Sequence, residues 1–156
     1  MKIKLLVIGK TDQKYLQEGI KEFHQRIVHY LPFEYHVVSD IKNNRNLTEE
    51  QQKEKEGEVL LQKIQSGDEI ILLDVSGQEF DSPEFARFLE KKMLKSTRNL
   101  VFIVGGPYGF STAIYKIAAA RISLSKMTFS HQLVRLVFSE QLYRALTIIK
   151  GEPYHH

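Results

Sequence analysis

Leu100-Val101-Phe102-Ile103-Val104 runs straight into Gly105-Gly106-Pro107-Tyr108-Gly109. A short helix begun by Ser111-Thr112 follows, then Ile122-Ser123-Leu124 and the small polar loop Ser125-Lys126-Met127-Thr128-Phe129 before Ser130-His131. This reads as a buried strand, a glycine turn, a helix, a second short strand and a loop that opens a long last helix. Two strand ends thus deliver two loops to one edge of a parallel sheet. In open α/β sheets that edge is where ligands bind.

Working outward, Lys2 to Ile8 alternates as a first strand and closes at Gly9. Leu16, Ile20, Phe23, Ile27 and Tyr30 recur at three- and four-residue steps, predicting a helix from about Gln13 to Tyr30 that Pro32 ends. Phe33 to Ser39 is the second strand. Lys42-Asn43-Asn44-Arg45-Asn46 lies in a loop, Ile41 to Leu47, that is either solvated or touches phosphate. Thr48 with Gln51 fits a capping box for a helix reaching about Gln65, with Ser66-Gly67 as its stop. The Glu- and Lys-rich first half of that helix, Glu49 to Glu58, reads as water-facing. Only Val59, Leu60, Leu61 and Ile64 look core-directed.

Glu69 to Leu73 is apolar on both sides of the pleat and predicts a central strand closing at Asp74, with Gly77 as the turn. Ser82-Pro83-Glu84 starts the next helix with Ser82 as its cap, and Phe85, Phe88, Leu89 and Met93 form its core stripe. Strands and helices alternate through residues 1–156 as one α/β domain with a mainly parallel sheet.

At 156 residues, 42% hydrophobic and 26% charged, the chain is long enough for a real core and has ordinary globular composition. No apolar run approaches membrane-spanning length, and the first residues lack the features of a signal peptide, so a cytoplasmic protein with no membrane partner is expected. The absence of cysteine excludes disulfides, thiolate metal sites and cysteine nucleophiles. The formal charge of +3 permits a nucleic-acid partner without demanding one. Arg121, Lys126, Arg135, Arg144, Lys150 and three histidines face only Glu140 and Glu152 after residue 120.

The glycine loop alone is a weak signal. Its G-G-x-x-G spacing is not the dinucleotide fingerprint, and the phosphate-cradling and zinc-protease motifs are absent. Several separated motifs in order are more specific. Gly-Gly-Pro-Tyr-Gly (105–109), Leu-Ser-Lys-Met-Thr-Phe-Ser-His (124–131), Val-Arg (134–135), Glu-Gln-Leu-Tyr-Arg-Ala (140–145) and Pro-Tyr-His (153–155) resemble the RlmH (YbeA) family of bacterial ribosomal large-subunit methyltransferases. Ile8-Gly9-Lys10, Lys53-Glu54-Lys55-Glu56-Gly57 and Leu73-Asp74-x-x-Gly77 also fit, so the resemblance spans the chain. His156 departs from the basic residue expected after His155.

The resemblance implies a SPOUT-type α/β fold with a deep C-terminal trefoil knot, a path that default topology rules exclude. It also implies a homodimer using S-adenosylmethionine, and no metal is expected. The implied substrate is a pseudouridine in the helix 69 loop of 23S rRNA, methylated at N3 in the assembled 70S ribosome. Cofactor positions carried over are Leu73, Gly105, Leu124, Ser125, Lys126, Met127, Thr128 and Phe129. On spacing alone Met127 and Phe129 read as core filling; the motif turns them into walls of the cofactor site.

Catalytic candidates are His131, Arg135, Tyr154 and His155, with Arg144 for substrate. His131 either takes a proton or substrate contact, or merely lines the loop, and the helix start disfavours its cation. Arg135 reads as a phosphate or base contact, or as half of a salt bridge. Glu140 and Arg144 are spaced for a helix ion pair. Arg144 lies half a turn round from Arg135 and faces a partner subunit or RNA. The last helix, Leu133 to Ile149, is apolar on more than one face, which suits either an interior helix or one shared with a second subunit. Methylation of tRNA and non-catalytic ribosome binding remain alternative functions.

Overall fold

The computed structural model describes residues 1–155, so His156 lies outside the described residues. The elements are β1 (Lys2–Ile8), α1 (Lys14–Ile27), β2 (Phe33–Val38), a 3-10 turn (Asn44–Asn46), α2 (Glu49–Leu61), β3 (Asp68–Glu79), α3 (Ser82–Leu94), β4 (Asn99–Val104), α4 (Thr112–Ile117), β5 (Ala120–Ser123) and α5 (Leu133–Lys150). The alternation follows the expected order. The five strands form one sheet in the order β2-β1-β4-β3-β5, and every pairing is parallel. Parallel strands need crossovers, and the helices that provide them cover both faces.

That double cover explains the unbroken apolar runs. On one face Ile3, Leu5, Val7, Phe102 and Val104 pack against Phe85, Leu89, Phe138 and Leu142. On the other, Leu6, Ile8, Val101, Ile103, Ile70 and Leu72 meet Leu60, Phe110 and Ile114. α5 lies in the first layer, packed against both α1 and α3. Leu136 of α5 sits against Gly19 of α1, where a Cβ would come within 2.9 Å of it. The amino-terminal edge of the sheet is tied shut around Asp68. Its carboxylate accepts from Asn99 Nδ2 at 2.8 Å and pairs with Lys4 at 3.4 Å. The carboxyl-terminal edge is left to loops.

Four local expectations change. Gly77 is not a turn: β3 continues to Glu79, and a Cβ on Gly77 would lie 2.5 Å from the Ile122 backbone nitrogen. The glycine is required because β5 runs against β3 there, beyond a register shift between Leu73 and Gln78. α2 begins at the expected capping box of Thr48 and Gln51 but ends at Leu61, and its first half is not wholly water-facing. Gln52, Glu56 and Gly57 are buried, while Leu61 is exposed. α3 is capped by Asp81, not Ser82, through a capping box with Glu84. α1 stops at Ile27 rather than Tyr30.

Candidate functional site

β4 and β5 end on either side of β3, beside the register shift that follows Leu73, so the loops after β4 and β5 meet the Leu73-Asp74-Val75 stretch of β3. Together with the start of α5 they enclose a cleft of about 400 Å³. Its lining includes Leu73, Asp74, Val75, Gly105 to Phe110, Tyr115, Leu124, Ser125, Met127, Thr128, Phe129, His131 and Val134. A larger groove of about 660 Å³ runs between α1 and β2, but none of these segments reaches it.

Each loop is held by its own sequence. Gly109 N–H donates to the Gly106 carbonyl at 3.2 Å, closing a turn over Pro107 and Tyr108, and Gly109 takes φ +85°. Phe110 packs beneath Gly105, where a Cβ would stand 3.1 Å from the ring. Ser111 caps α4 by accepting the Ile114 N–H. In the last loop Ser123 Oγ donates to the Ser125 carbonyl and Ser125 Oγ accepts Met127 N–H, both at 2.9 Å. Asp74 accepts from Ser76 N–H and Oγ–H at 2.8 Å and from the Tyr115 hydroxyl. Burial would raise the Asp74 carboxyl, but those hydrogen bonds outweigh it and hold it below the usual range. Burial, with Asp74 beside it, pushes Tyr115 up to about 12.

Seven of the eight expected cofactor positions line this cleft: Leu73, Gly105, Leu124, Ser125, Met127, Thr128 and Phe129. Lys126 is exposed and points outside the lining. Met127 does not fill the core, since it is 79% exposed at the cleft mouth. Sequence reasoning passed over Tyr115 and Tyr108. A tyrosine on a short helix and one in a turn carry no periodic signal of their own.

The catalytic candidates separate into two places. His131 lines the cleft. Burial and the nearby Arg135 both lower its pKa, so it is a neutral imidazole at neutral pH. Arg135 is 0% exposed and meets neither a phosphate-accessible surface nor an acid. It donates from Nη2 to the Ile8 carbonyl at 2.6 Å, from Nη1 to the Gly9 carbonyl at 2.8 Å and Thr11 Oγ1 at 3.0 Å, and from Nε to the His131 carbonyl at 3.0 Å. The guanidinium therefore pins the start of α5 to the end of β1, in place of the expected substrate contact or salt bridge.

Arg144 does form the expected pair with Glu140, at 2.6 and 3.0 Å. The tail folds back onto it. The Arg144 guanidinium lies 4.8 Å from the Tyr154 ring centroid, Tyr154 donates to Glu140 at 3.2 Å, and His155 Nδ1 stands 3.4 Å from Arg144 Nη1. Tyr143 meets Tyr154 edge-on at 4.7 Å. Ten residues of helix separate Val134 from Arg144, so this cluster sits about 15 Å along α5 from the cleft of its own chain. Among the described residues, no group of three or more His, Asp and Glu side chains is placed to hold a metal ion.

The family model described as "Predicted SPOUT methyltransferase" matches residues 1–155. The chain is 60% identical over 156 residues to the ribosomal RNA large subunit methyltransferase H of Parabacteroides distasonis, covering all of this chain and 99% of that one. It is 53% identical to the protein of the same name from Christiangramia forsetii, with the same coverage. Among solved structures, a probable methyltransferase from Bordetella pertussis Tohama I superposes with a TM-score of 0.55 at 9% identity, over 93% of this chain and 96% of that one. That last likeness concerns the fold alone.

Proposed function

The chain belongs to the SPOUT methyltransferase family, and we propose that it methylates large-subunit ribosomal RNA, taking the methyl group from S-adenosylmethionine. The observation that carries the donor assignment is the cleft where the ends of β4 and β5 flank β3, walled by apolar side chains and floored by glycine backbone. Such a surface suits a nucleoside with a flat apolar base and hydrogen-bonding ribose edges. Leu73, Gly105, Leu124, Ser125, Met127, Thr128 and Phe129 would hold it. Lys126, outside the lining, has no assigned contact. When bound, the donor supplies an electrophilic methyl on a sulfonium centre.

The protein's own part is positioning and proton management. Arg135 is a positioning residue that fixes where His131 and Val134 stand. His131, neutral at the cleft, can accept a hydrogen bond or a proton from a ring N–H of the substrate. Arg144, Tyr154 and His155 bring charge and an aromatic face suited to RNA. Their distance from the cleft on one chain supports a site completed by the tail of a second copy, and hence a homodimer. The half-buried flank of α5, including Val137 and Ile148, supports the same reading.

The finer substrate follows from the motif resemblance: N3 of a pseudouridine in the helix 69 loop of 23S rRNA, reached in the assembled 70S ribosome. The threaded trefoil path of the C-terminal part and a cytoplasmic location belong to the same reading. No helix of the described residues is long and apolar enough to cross a membrane.

The test is methyl incorporation. Purified protein and labelled donor are offered 70S ribosomes lacking the mark, free 23S rRNA, and bulk tRNA. Label in 23S rRNA from the ribosome sample, recovered as N3-methylpseudouridine, supports the proposal. Label in tRNA alone, or none with the donor bound, overturns it.

A further inference from the structure

Glu56 stands where a water-facing residue was expected. It lies on the inner side of α2, one turn after Gln52 and one before Leu60, and is 4% exposed. Gln52 Nε2 donates to its Oε1 at 3.0 Å. Its Oε2 is withdrawn from water and receives no hydrogen bond. Burial raises its pKa above the usual carboxyl range, Gln52 opposing and the Asp40 carboxylate adding to the rise. An orphaned buried oxygen destabilises a fold, whereas an apolar side chain of the same length would fill the space without penalty.

The orphan oxygen has a direction. A Cβ on Gly106 would fall 2.5 Å from Oε2 and 2.6 Å from Oε1, so the carboxyl lies against the backbone of the glycine loop. Gly106 does not have positive φ, so space and not backbone conformation demands glycine there. The next residue of α2 repeats the pattern, since a Cβ on Gly57 would meet Ser111 Oγ at 2.3 Å. α2 is thus seated against both ends of the loop. Within the loop, Pro107 has no N–H, and Gly106 and Gly109 are bridged to each other through their backbones, which leaves the N–H of Tyr108.

We infer that Glu56 is a positioning residue for the glycine loop. Its free carboxyl oxygen accepts the backbone N–H of Tyr108 when the loop closes over the methyl donor. This rests on the donor reading of the cleft.

Calorimetric titration with S-adenosylmethionine, paired with melting temperatures of the donor-free protein, tests it in the full chain. Glu56→Met should weaken donor binding at least tenfold while leaving the donor-free melting temperature unchanged or higher. Glu56→Gln, which keeps a carbonyl oxygen, should bind within threefold of wild type. Equal binding by Glu56→Met overturns the inference. So does a lower donor-free melting temperature or failure of that variant to fold, because either makes the carboxyl a structural prop. Wild-type protein that binds no donor removes the donor reading itself, and this inference with it.

Discussion

The cleft at the strand ends and the cluster on the far half of α5 are built from opposite materials. The cleft is glycine backbone, small hydroxyls and apolar walls, each set by the sheet beneath. The tail cluster is long charged and aromatic side chains held by one another: Glu140, Tyr143, Arg144, Tyr154 and His155. Altering the first disturbs the fold. Altering the second, Tyr143 apart, disturbs contacts with little else attached; Tyr143 also packs against Phe23 and Tyr30. On the proposed function, binding of a small molecule and recognition of a large one would be carried by separable parts of one helix, with Arg135 serving the cleft and Arg144 the tail.

The strongest challenge to that division is Arg135→Ala. It leaves the carbonyls of Ile8, Gly9 and His131 without their donor inside the protein. Stability should fall by about 3 kcal/mol or more in urea unfolding, and donor affinity should fall with it. Retained stability would mean the arginine is not a frame element. His155→Ala should do the reverse. Donor binding by calorimetry stays within twofold while turnover drops about 100-fold. Equal turnover would remove the tail from the mechanism.

A smaller effect should strike both regions together. His24 of α1 is half-buried beside Phe33 and Tyr35, at ring distances of 4.7 and 4.8 Å, and its Nε2 is 3.0 Å from Ser139 Oγ on α5. Burial lowers its pKa from 6.5 to about 4. Between those values the unfolded chain binds more protons than the folded one, so stability falls as pH drops through that window. Its share of the loss should be on the order of 2 kcal/mol, measured as the difference between wild type and His24→Leu in denaturation at pH 7 and pH 4.5. Parallel profiles for the two proteins would refute it. Least of all, Tyr154→Phe removes one partly exposed hydrogen bond to Glu140. It should lower stability by under about 1 kcal/mol, read as a small shift in melting temperature, with donor binding untouched.

What could be read beforehand follows the same divide. Strand order along the chain, the Thr48 cap and the loops at one sheet edge were legible, because apolar periodicity and capping chemistry are local. The pairing of Glu140 with Arg144 was legible for the same reason, as a four-residue step on one helix. The burial of Gln52 and Glu56 was not, since a Glu- and Lys-rich run has no apolar stripe to announce an inner face. Gly77 looked like any turn glycine until β5 was found against it. Arg135 showed no acid at helical spacing. Its partners are carbonyls at the other end of the sequence, and no pattern along the chain marks a backbone oxygen as unpaired.

That last contact bears on how the molecule is made. Ile8 and Arg135 are 127 residues apart, and every residue of α5 except Lys150 is at least half buried. At ordinary rates of translation the trough meant for α5 stands open for roughly ten seconds after the first strand is synthesised. Nascent chains stalled before residue 130 would thus display Phe85, Phe102 and Leu5 to chaperones, and release from them awaits the final helix.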